Sequence, residues 1–146
     1  MRKRTVLIFF CLILTLQPIF VASGESPLFL QHKLTGYLPG EDGVSLDYNL
    51  LIENMIDSSV YNLTIRNISL LIKGSKNLTL TIGDLSGHET REINFRLHTP
   101  MMLTEDKFSQ QSLSWIVEYQ DENELPHEVL LESHPLLLLN ELGGAQ

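Results

Sequence analysis

Residues 44–50 read Val-Ser-Leu-Asp-Tyr-Asn-Leu, a strict alternation of apolar and polar side chains that decides the fold class. Successive side chains of a β-strand point to opposite faces, so a period of two places all the apolar residues of this stretch on one buried face. The same alternation recurs in three further segments, residues 78–82, 93–97 and 113–119. No segment shows sustained helical periodicity. The sequence therefore predicts an all-β chain.

Further strands are expected at residues 28–35, 60–72 and 127–132, and clusters of Gly, Pro, Asp, Asn and Ser separate the strands. This rhythm is typical of an Ig-like or fibronectin-III-like antiparallel β-sandwich of about seven strands. Residues 101–111 fit a strand least well and are expected to form a loop or one helical turn. Trp115, the lone tryptophan, lies at the centre of a strand pattern and is expected in the core.

The apolar positions of the 60–72 segment change parity along the chain. Leu63 and Ile65 carry odd numbers, whereas Ile68, Leu70 and Ile72 carry even numbers. One extra residue in a strand reverses the faces of all the residues that follow it. The sequence therefore predicts a β-bulge, or a break between two strands, near residues 66–67.

Residues 1–24 have the layout of a secretory signal peptide. Residues 2–4 are basic, residues 5–20 are mainly apolar, and residues 22–24 are small, as a signal peptidase requires. We expect cleavage before Glu25 or close to it. The alternative is an uncleaved N-terminal anchor, because the apolar stretch is just long enough to span a bilayer.

Residues 25–146 are expected to form a single β-sandwich domain with no membrane span in the mature chain. The chain has 146 residues, is 43% apolar and has a net charge of −8, which argues against nucleic acid or an anionic membrane surface as partner. The only cysteine, Cys11, lies in the predicted signal peptide. Thiol catalysis and disulfides are therefore not expected in the mature domain.

Three N-glycosylation sequons begin at Asn62, Asn67 and Asn77. Each asparagine adjoins an apolar residue of a predicted strand, so each is expected to face outward, as a bulky glycan requires. We therefore predict glycosylation at these three positions, in a region of the surface away from partner contacts.

Motifs that carry catalysis are missing from the sequence. Residues 83–87 place their serine one position too late for a nucleophile elbow, and no glycine-rich phosphate loop occurs. The acidic residues 121–124 are expected to be a solvated hairpin tip. The five histidines lack metal-binding spacing and are expected on the surface or in loops, namely His32, His88, His98, His127 and His134. We expect no enzyme activity, no catalytic residue, no cofactor and no metal.

Residues 44–65 resemble the luminal domain of the translocon-associated protein beta subunit. In that family a strand ends in asparagine, a serine-containing turn follows, and the next strand has alternating apolar residues. Asn54 matches the asparagine, Ser58 lies in the turn, and Leu63 and Ile65 match the apolar positions. Residues 26–33 and 116–119 fit the same outline. The resemblance implies an Ig-like luminal domain beside the protein-translocation channel.

Together these observations predict a non-enzymatic accessory or interaction protein of the secretory pathway. It would act through protein–protein contacts in the lumen of the endoplasmic reticulum, with translocon components as the partners that the resemblance implies. The alternative is an extracellular location, as a secreted glycoprotein that serves as a binding or adhesion module. The sequence leaves the partner and the oligomeric state open.

Overall fold

The computed structural model describes residues 26–69 and 78–136. Seven strands and one short helix account for most of them. In chain order they are β1 (Leu28–Gly40), β2 (Gly43–Asn54), β3 (Val60–Asn67), β4 (Thr79–Leu85), β5 (Thr90–Thr99), α1 (Glu105–Ser109), β6 (Leu113–Gln120) and β7 (Pro126–Pro135). The all-β prediction with seven strands is therefore confirmed, and residues 101–111 contain the expected single helical turn.

The seven strands form one sheet in the order β4-β3-β6-β7-β1-β2-β5. Neighbouring strands are antiparallel except β1 and β7, which pair in parallel through Gln31 with His134 and His32 with Pro135. The expected sandwich of two antiparallel sheets is wrong, because this short parallel pair joins β1-β2-β5 to the other four strands. The single sheet curls into a nearly closed barrel.

An arginine bridges the two edge strands of the sheet, β4 and β5. Arg91, at the start of β5, donates from Nη1 to the carbonyl of Ile82 at 2.7 Å and from Nη2 to the carbonyl of Asp84 at 2.9 Å. Both carbonyls belong to β4. Glu89 accepts a further hydrogen bond from Nη2 at 2.7 Å and holds the guanidinium in place. The Arg91 side chain therefore links β4 to β5, between which the described residues form no backbone ladder.

The predicted alternation places the core correctly on β2, β5 and β6. Aromatic side chains that point inward from these strands contact one another. Tyr48 stacks on Phe95 with 5.4 Å between ring centroids, and Phe95 contacts Trp115 edge-on at 5.3 Å. Phe95 lies on an edge strand and Trp115 on a central one, so this contact crosses the interior of the barrel. Trp115 is fully buried, as expected.

The third strand contains a bulge that the sequence did not predict. Of the two alternatives expected near residues 66–67, the end of β3 at Asn67 fits the break and not the bulge. The register of β3 shifts between Val60 and Thr64 instead of near residues 66–67, and both Tyr61 and Asn62 face solvent. Asn62 has a φ of 52°. That value is in the left-handed region, which asparagine tolerates better than most residues. β3 itself ends at Asn67, and Leu70 and Ile72 lie outside the described residues.

The short helix α1 closes the barrel over the side of β1. Its Phe108 is fully buried and packs against the ring of Tyr37, with centroids 6.3 Å apart. The hydroxyl of Tyr37 donates to the carbonyl of Leu103 at 2.9 Å, just before the helix begins. The helical turn is thus held by one apolar anchor and one hydrogen bond.

Truncation of Trp115 should lower the stability of the fold strongly. Trp115→Ala is expected to reduce the free energy of unfolding by roughly 3–5 kcal/mol, because it leaves a large cavity beside Phe95. Leu130→Ala is the matched control: Leu130 is 67% exposed, and its truncation should change stability by less than about 0.5 kcal/mol. Urea unfolding of the two variants measures both effects. Similar losses in both would contradict the position of Trp115 in the core.

Candidate functional site

A chain of hydrogen bonds lies inside the barrel around His32, which is 1% exposed. The Nε2 of His32 is 2.9 Å from the carbonyl of Gln111, and its Nδ1 is 2.7 Å from the hydroxyl of Ser133. A carbonyl only accepts, so Nε2 carries the proton and the Ser133 hydroxyl donates to Nδ1. The Ser133 oxygen in turn accepts from the indole N–H of Trp115 at 2.9 Å. The expectation of a surface or loop position for His32 is therefore wrong.

Burial lowers the pKa of His32 to about 4, so the imidazole is neutral near pH 7. A serine bonded to a neutral histidine is the pair that activates a nucleophile in hydrolases. Here both side chains are buried, and the Ser133 oxygen is already bonded to Trp115. A substrate has no approach to this oxygen. The pair therefore joins strands, and we assign it no chemistry.

Tyr48 lies beside this hydrogen-bond chain with its ring edge-on to His32, at 5.6 Å between centroids. Among the side chains of residues 26–69 and 78–136, its hydroxyl is the buried polar atom that has no hydrogen-bond partner. Burial raises the pKa of Tyr48 to about 12. The phenol therefore stays protonated, and its hydroxyl contributes an unfavourable desolvation term to the core.

The site that is open to solvent is a cleft of about 480 Å³ at one end of the barrel. Three segments far apart in the sequence form it: the residues just before β1, the loop between β2 and β3 with the first residue of β3, and the hairpin of β6 and β7. Its lining residues are Ser26, Pro27, Met55, Ile56, Ser58, Ser59, Val60, Tyr119, Asp121 and His127. We call this surface the end cleft.

The polar wall of the end cleft is built by the β6–β7 hairpin. Asp121 Oδ1 accepts the backbone N–H groups of Asn123 at 2.8 Å and Leu125 at 3.1 Å, which fixes the turn. Asp121 Oδ2 lies 2.8 Å from Nε2 of His127, and the ring of His127 stacks on Tyr119 at 4.9 Å. The hydrogen bond from His127 is the main cause that lowers the pKa of Asp121. The carboxylate is therefore charged and held in one position.

The apolar rim of the end cleft consists of Met55 and Ile56, which are 52% and 43% exposed. Their backbone is fixed from below by the buried Asn54. The Asn54 side chain donates to the carbonyl of Ser58 at 2.8 Å and accepts the N–H of Ile56 at 3.3 Å. The N–H of Met55 also donates to the carbonyl of Pro27 at 2.7 Å. An ordered loop thus presents two apolar side chains to solvent.

The sequons have different environments. Asn62 is exposed on β3, with its Nδ2 2.9 Å from Oε1 of Gln120. Asn67 is only 5% exposed, so the expectation that it faces outward is wrong. The reason is that no bulge separates Ile65 from Asn67, so residue 67 continues the inward series of Leu63 and Ile65 to the end of β3. Asn77 lies outside the described residues. Glycosylation itself stays a prediction.

Within residues 26–69 and 78–136, no three His, Cys, Asp or Glu side chains form a group that could hold a metal ion. In the same part of the chain, no helix is long and apolar enough to cross a membrane. The sequence identified the acidic hairpin tip, but it missed the end cleft. The only signal in the sequence was the pair of apolar residues directly after Asn54, in a segment otherwise rich in turn formers.

No family model matches the chain, and no curated protein is significantly similar to it. Among solved structures, a GH20 exo-β-N-acetylglucosaminidase from Vibrio harveyi is similar over 77% of this chain, with a TM-score of 0.51 and 9% identity. The similar region is 19% of the enzyme's chain. A FixG-related protein from Vibrio parahaemolyticus is similar over 77% of this chain and 100% of its own, with a TM-score of 0.34 and 17% identity.

These comparisons correct the resemblance to the translocon-associated protein beta subunit. The structural neighbours are not luminal domains of that subunit, and no family model for it matches the chain. The resemblance was therefore wrong. It depended on a strand, an asparagine, a turn and a second strand, and Asn54 has a local reason to be there, because it holds the β2–β3 loop. At 9% identity the likeness to the enzyme concerns the fold alone.

Acid should weaken the fold through His32. The folded-state pKa of about 4 lies below the ordinary value of 6.5. Between these two values the unfolded chain binds the proton and the native chain does not, so stability is complete above pH 6.5 and falls as the pH drops toward 4. The expected loss is roughly 2–3 kcal/mol. Urea unfolding at several pH values between 7 and 4.5 measures it.

The control for this prediction is His98→Gln, which removes an exposed imidazole from the outer face and should keep the acid dependence. His32→Gln should flatten it, although it also lowers stability at neutral pH. The pKa values of Asp47, Glu89 and Asp121 are lowered, so their contribution is lost only at more acidic pH. An unfolding free energy of the wild type that is constant from pH 6.5 to 4.5 would show that the imidazole is not buried in its neutral form.

The two hydroxyls in the core should respond in opposite ways to removal. Tyr48→Phe deletes the unpartnered hydroxyl, and stability should stay unchanged or rise by up to about 1 kcal/mol. Ser133→Ala leaves His32 Nδ1 and the Trp115 indole N–H without partners, and stability should fall by roughly 2–4 kcal/mol. Urea unfolding at pH 7 compares the two variants. Equal losses would contradict the hydrogen-bond chain.

Proposed function

We propose that this protein is a non-enzymatic binding module of the secretory pathway that acts through protein–protein contacts, with the end cleft as its docking surface. The observation that carries the proposal is the exposure of Met55 and Ile56 on a loop whose backbone is fixed by the buried Asn54. Large apolar side chains that stay in water beside a concave surface are typical of interaction sites.

Hydrogen bonds already hold the end cleft in one conformation, and this supports a binding role. Its polar wall is already held by the bonds from Asp121 to the hairpin backbone and to His127. Its rim is held by Asn54. A surface that is ordered before binding loses little conformational entropy when a partner docks. The groups that could do acid–base chemistry, Asp121 and His127, are hydrogen-bonded to each other, and neither has a hydrogen bond to a serine, threonine or cysteine side chain within residues 26–69 and 78–136.

Charge indicates the chemistry of the partner. The chain has a net charge of −8, and the loops around the end cleft carry Asp57, Asp121, Glu122 and Glu124. An acidic surround attracts positive segments and repels negative ones. The partner that fits is a protein segment with an apolar anchor side chain, which would contact Met55 and Ile56, flanked by lysine or arginine.

The placement in the secretory pathway comes from the sequence alone, from the signal-peptide layout of residues 1–24 and from the sequons. Within that pathway, retention in the lumen of the endoplasmic reticulum and release outside the cell are both consistent with a binding module. The second candidate role is that of a secreted glycoprotein that binds or adheres to a partner, and the exposed position of Asn62 fits a glycoprotein in either location.

Polar substitutions at the rim of the end cleft should abolish binding without unfolding the protein. The test variant is Met55→Ser with Ile56→Ser, and the matched control is Met102→Ser with Leu130→Ser, because Met102 and Leu130 are 64% and 67% exposed outside the cleft. Quantitative cross-linking in cells that express the tagged full chain measures partner capture. Equal melting temperatures show that both variants fold.

The expected result is that the control retains its partners, while the rim variant loses them by about tenfold or more, the change that a loss of about 1.4 kcal/mol would produce. Protease protection of the tagged chain in isolated microsomes tests the secretory location separately. Equal partner capture by both variants would refute the end cleft as the docking surface. Digestion of the chain without detergent would refute its location in the lumen.

A further inference from the structure

The bulge in β3 gives Asn62 an environment suited to covalent modification. Tyr61 and Asn62 both face solvent, because the bulge inserts one residue that has no partner in the ladder. The backbone N–H of Asn62 donates to Asp84 Oδ1 at 3.0 Å, which anchors the main chain. The side-chain amide donates to Oε1 of Gln120 at 2.9 Å. Its second amide hydrogen is therefore available.

The environment of Asn67 is the opposite. Asn67 is 5% exposed and lies opposite Trp115 in the ladder of β3 and β6. Its Oδ1 accepts the N–H of Ser69 at 3.2 Å, and its Nδ2 donates to the Ser69 hydroxyl at 3.3 Å. That hydroxyl also accepts the N–H of Ser114 at 2.9 Å. The asparagine and serine of this sequon thus tie the end of β3 to the start of β6.

We infer that Asn62, and not Asn67, carries an N-linked glycan in the folded protein. The inference goes beyond the proposed binding role, but it rests on the entry of the chain into the secretory lumen. In the transfer, Nδ2 of Asn62 forms a bond to the anomeric carbon of an oligosaccharide carried on a polyprenyl diphosphate. The bond from that carbon to the diphosphate breaks, the polyprenyl diphosphate leaves, and Nδ2 loses one proton.

The geometry accommodates this product at Asn62. A glycosylated amide keeps one N–H, so the hydrogen bond to Gln120 can persist. At Asn67 a sugar would have to occupy the space of the residues that bury the side chain, and it would separate Ser69 from Ser114. The chain could not then complete the β3–β6 junction.

The test maps glycan occupancy in the unmodified full-length sequence, which avoids any dependence on the folding of a variant. The chain is expressed in glycosylating eukaryotic cells with a C-terminal tag that contains its own reporter sequon. The folded fraction is selected by its resistance to limited proteolysis. Peptide N-glycosidase then converts each glycan-bearing asparagine to aspartate, which mass spectrometry assigns to a residue. A sample without the glycosidase controls for spontaneous deamidation.

With the reporter sequon occupied, we expect at least about tenfold higher occupancy at Asn62 than at Asn67 in the folded fraction. Asn62→Gln should remove one glycan-sized step of electrophoretic mobility and lower the melting temperature slightly, because asparagine tolerates the φ of 52° at this position better than glutamine does. An occupied reporter with a bare Asn62, or an occupancy ratio of Asn62 to Asn67 below about tenfold in the folded fraction, would overturn the inference alone. An unmodified reporter would show that the chain does not reach the lumen, and it would overturn the secretory placement together with the inference.

Discussion

The hydroxyl of Ser133 lies between the imidazole of His32 and the indole of Trp115, and the continuity of the sheet from β1 to β7 depends on this arrangement. His32 belongs to β1, Ser133 to β7 and Trp115 to β6. The only backbone ladder between β1 and β7 is a parallel pair of two residues on each strand. Such a short ladder stabilises little by itself. The buried side-chain bonds therefore hold the two parts of the sheet together at the point where the backbone contributes least.

This hydrogen-bond chain restricts which side chains the core can accept. Every group in this hydrogen-bond chain has a partner, from the Gln111 carbonyl through His32 and Ser133 to the Trp115 indole. One tautomer of His32 satisfies all its donors and acceptors. Replacing one of these side chains by an apolar one would leave the adjacent groups without hydrogen-bond partners. Tyr48, whose ring lies edge-on to His32, has a hydroxyl without a hydrogen-bond partner in the same core. The interior thus contains one fully hydrogen-bonded polar network and one hydroxyl without a partner. That hydroxyl belongs to Tyr48, whose ring is held by its packing on Phe95.

The sequence predicted the strands well, because alternation is a local property. It also held a signal for His32, which continues the inward series of Leu28 and Leu30, although a histidine was not expected inside. The single sheet was not predictable, because the β1–β7 pair joins residues about a hundred positions apart. The orientation of Asn67 was predicted wrongly because the inward series of Leu63 and Ile65 continues to Asn67 without the change of face expected near residues 66–67. The end cleft was missed because it combines three loops that the sequence does not relate.

The bridge from Arg91 to the carbonyls of Ile82 and Asp84 has a consequence for solubility. Unpaired carbonyls on an edge strand are a template for a foreign strand, and this is how β-proteins begin to aggregate. Here the guanidinium already occupies two of these acceptors on β4. A lysine in its place would serve only while it remained protonated, whereas arginine keeps its charge at any pH at which the chain is folded. Two carbonyls on this edge of β4 are therefore blocked against pairing with a foreign strand.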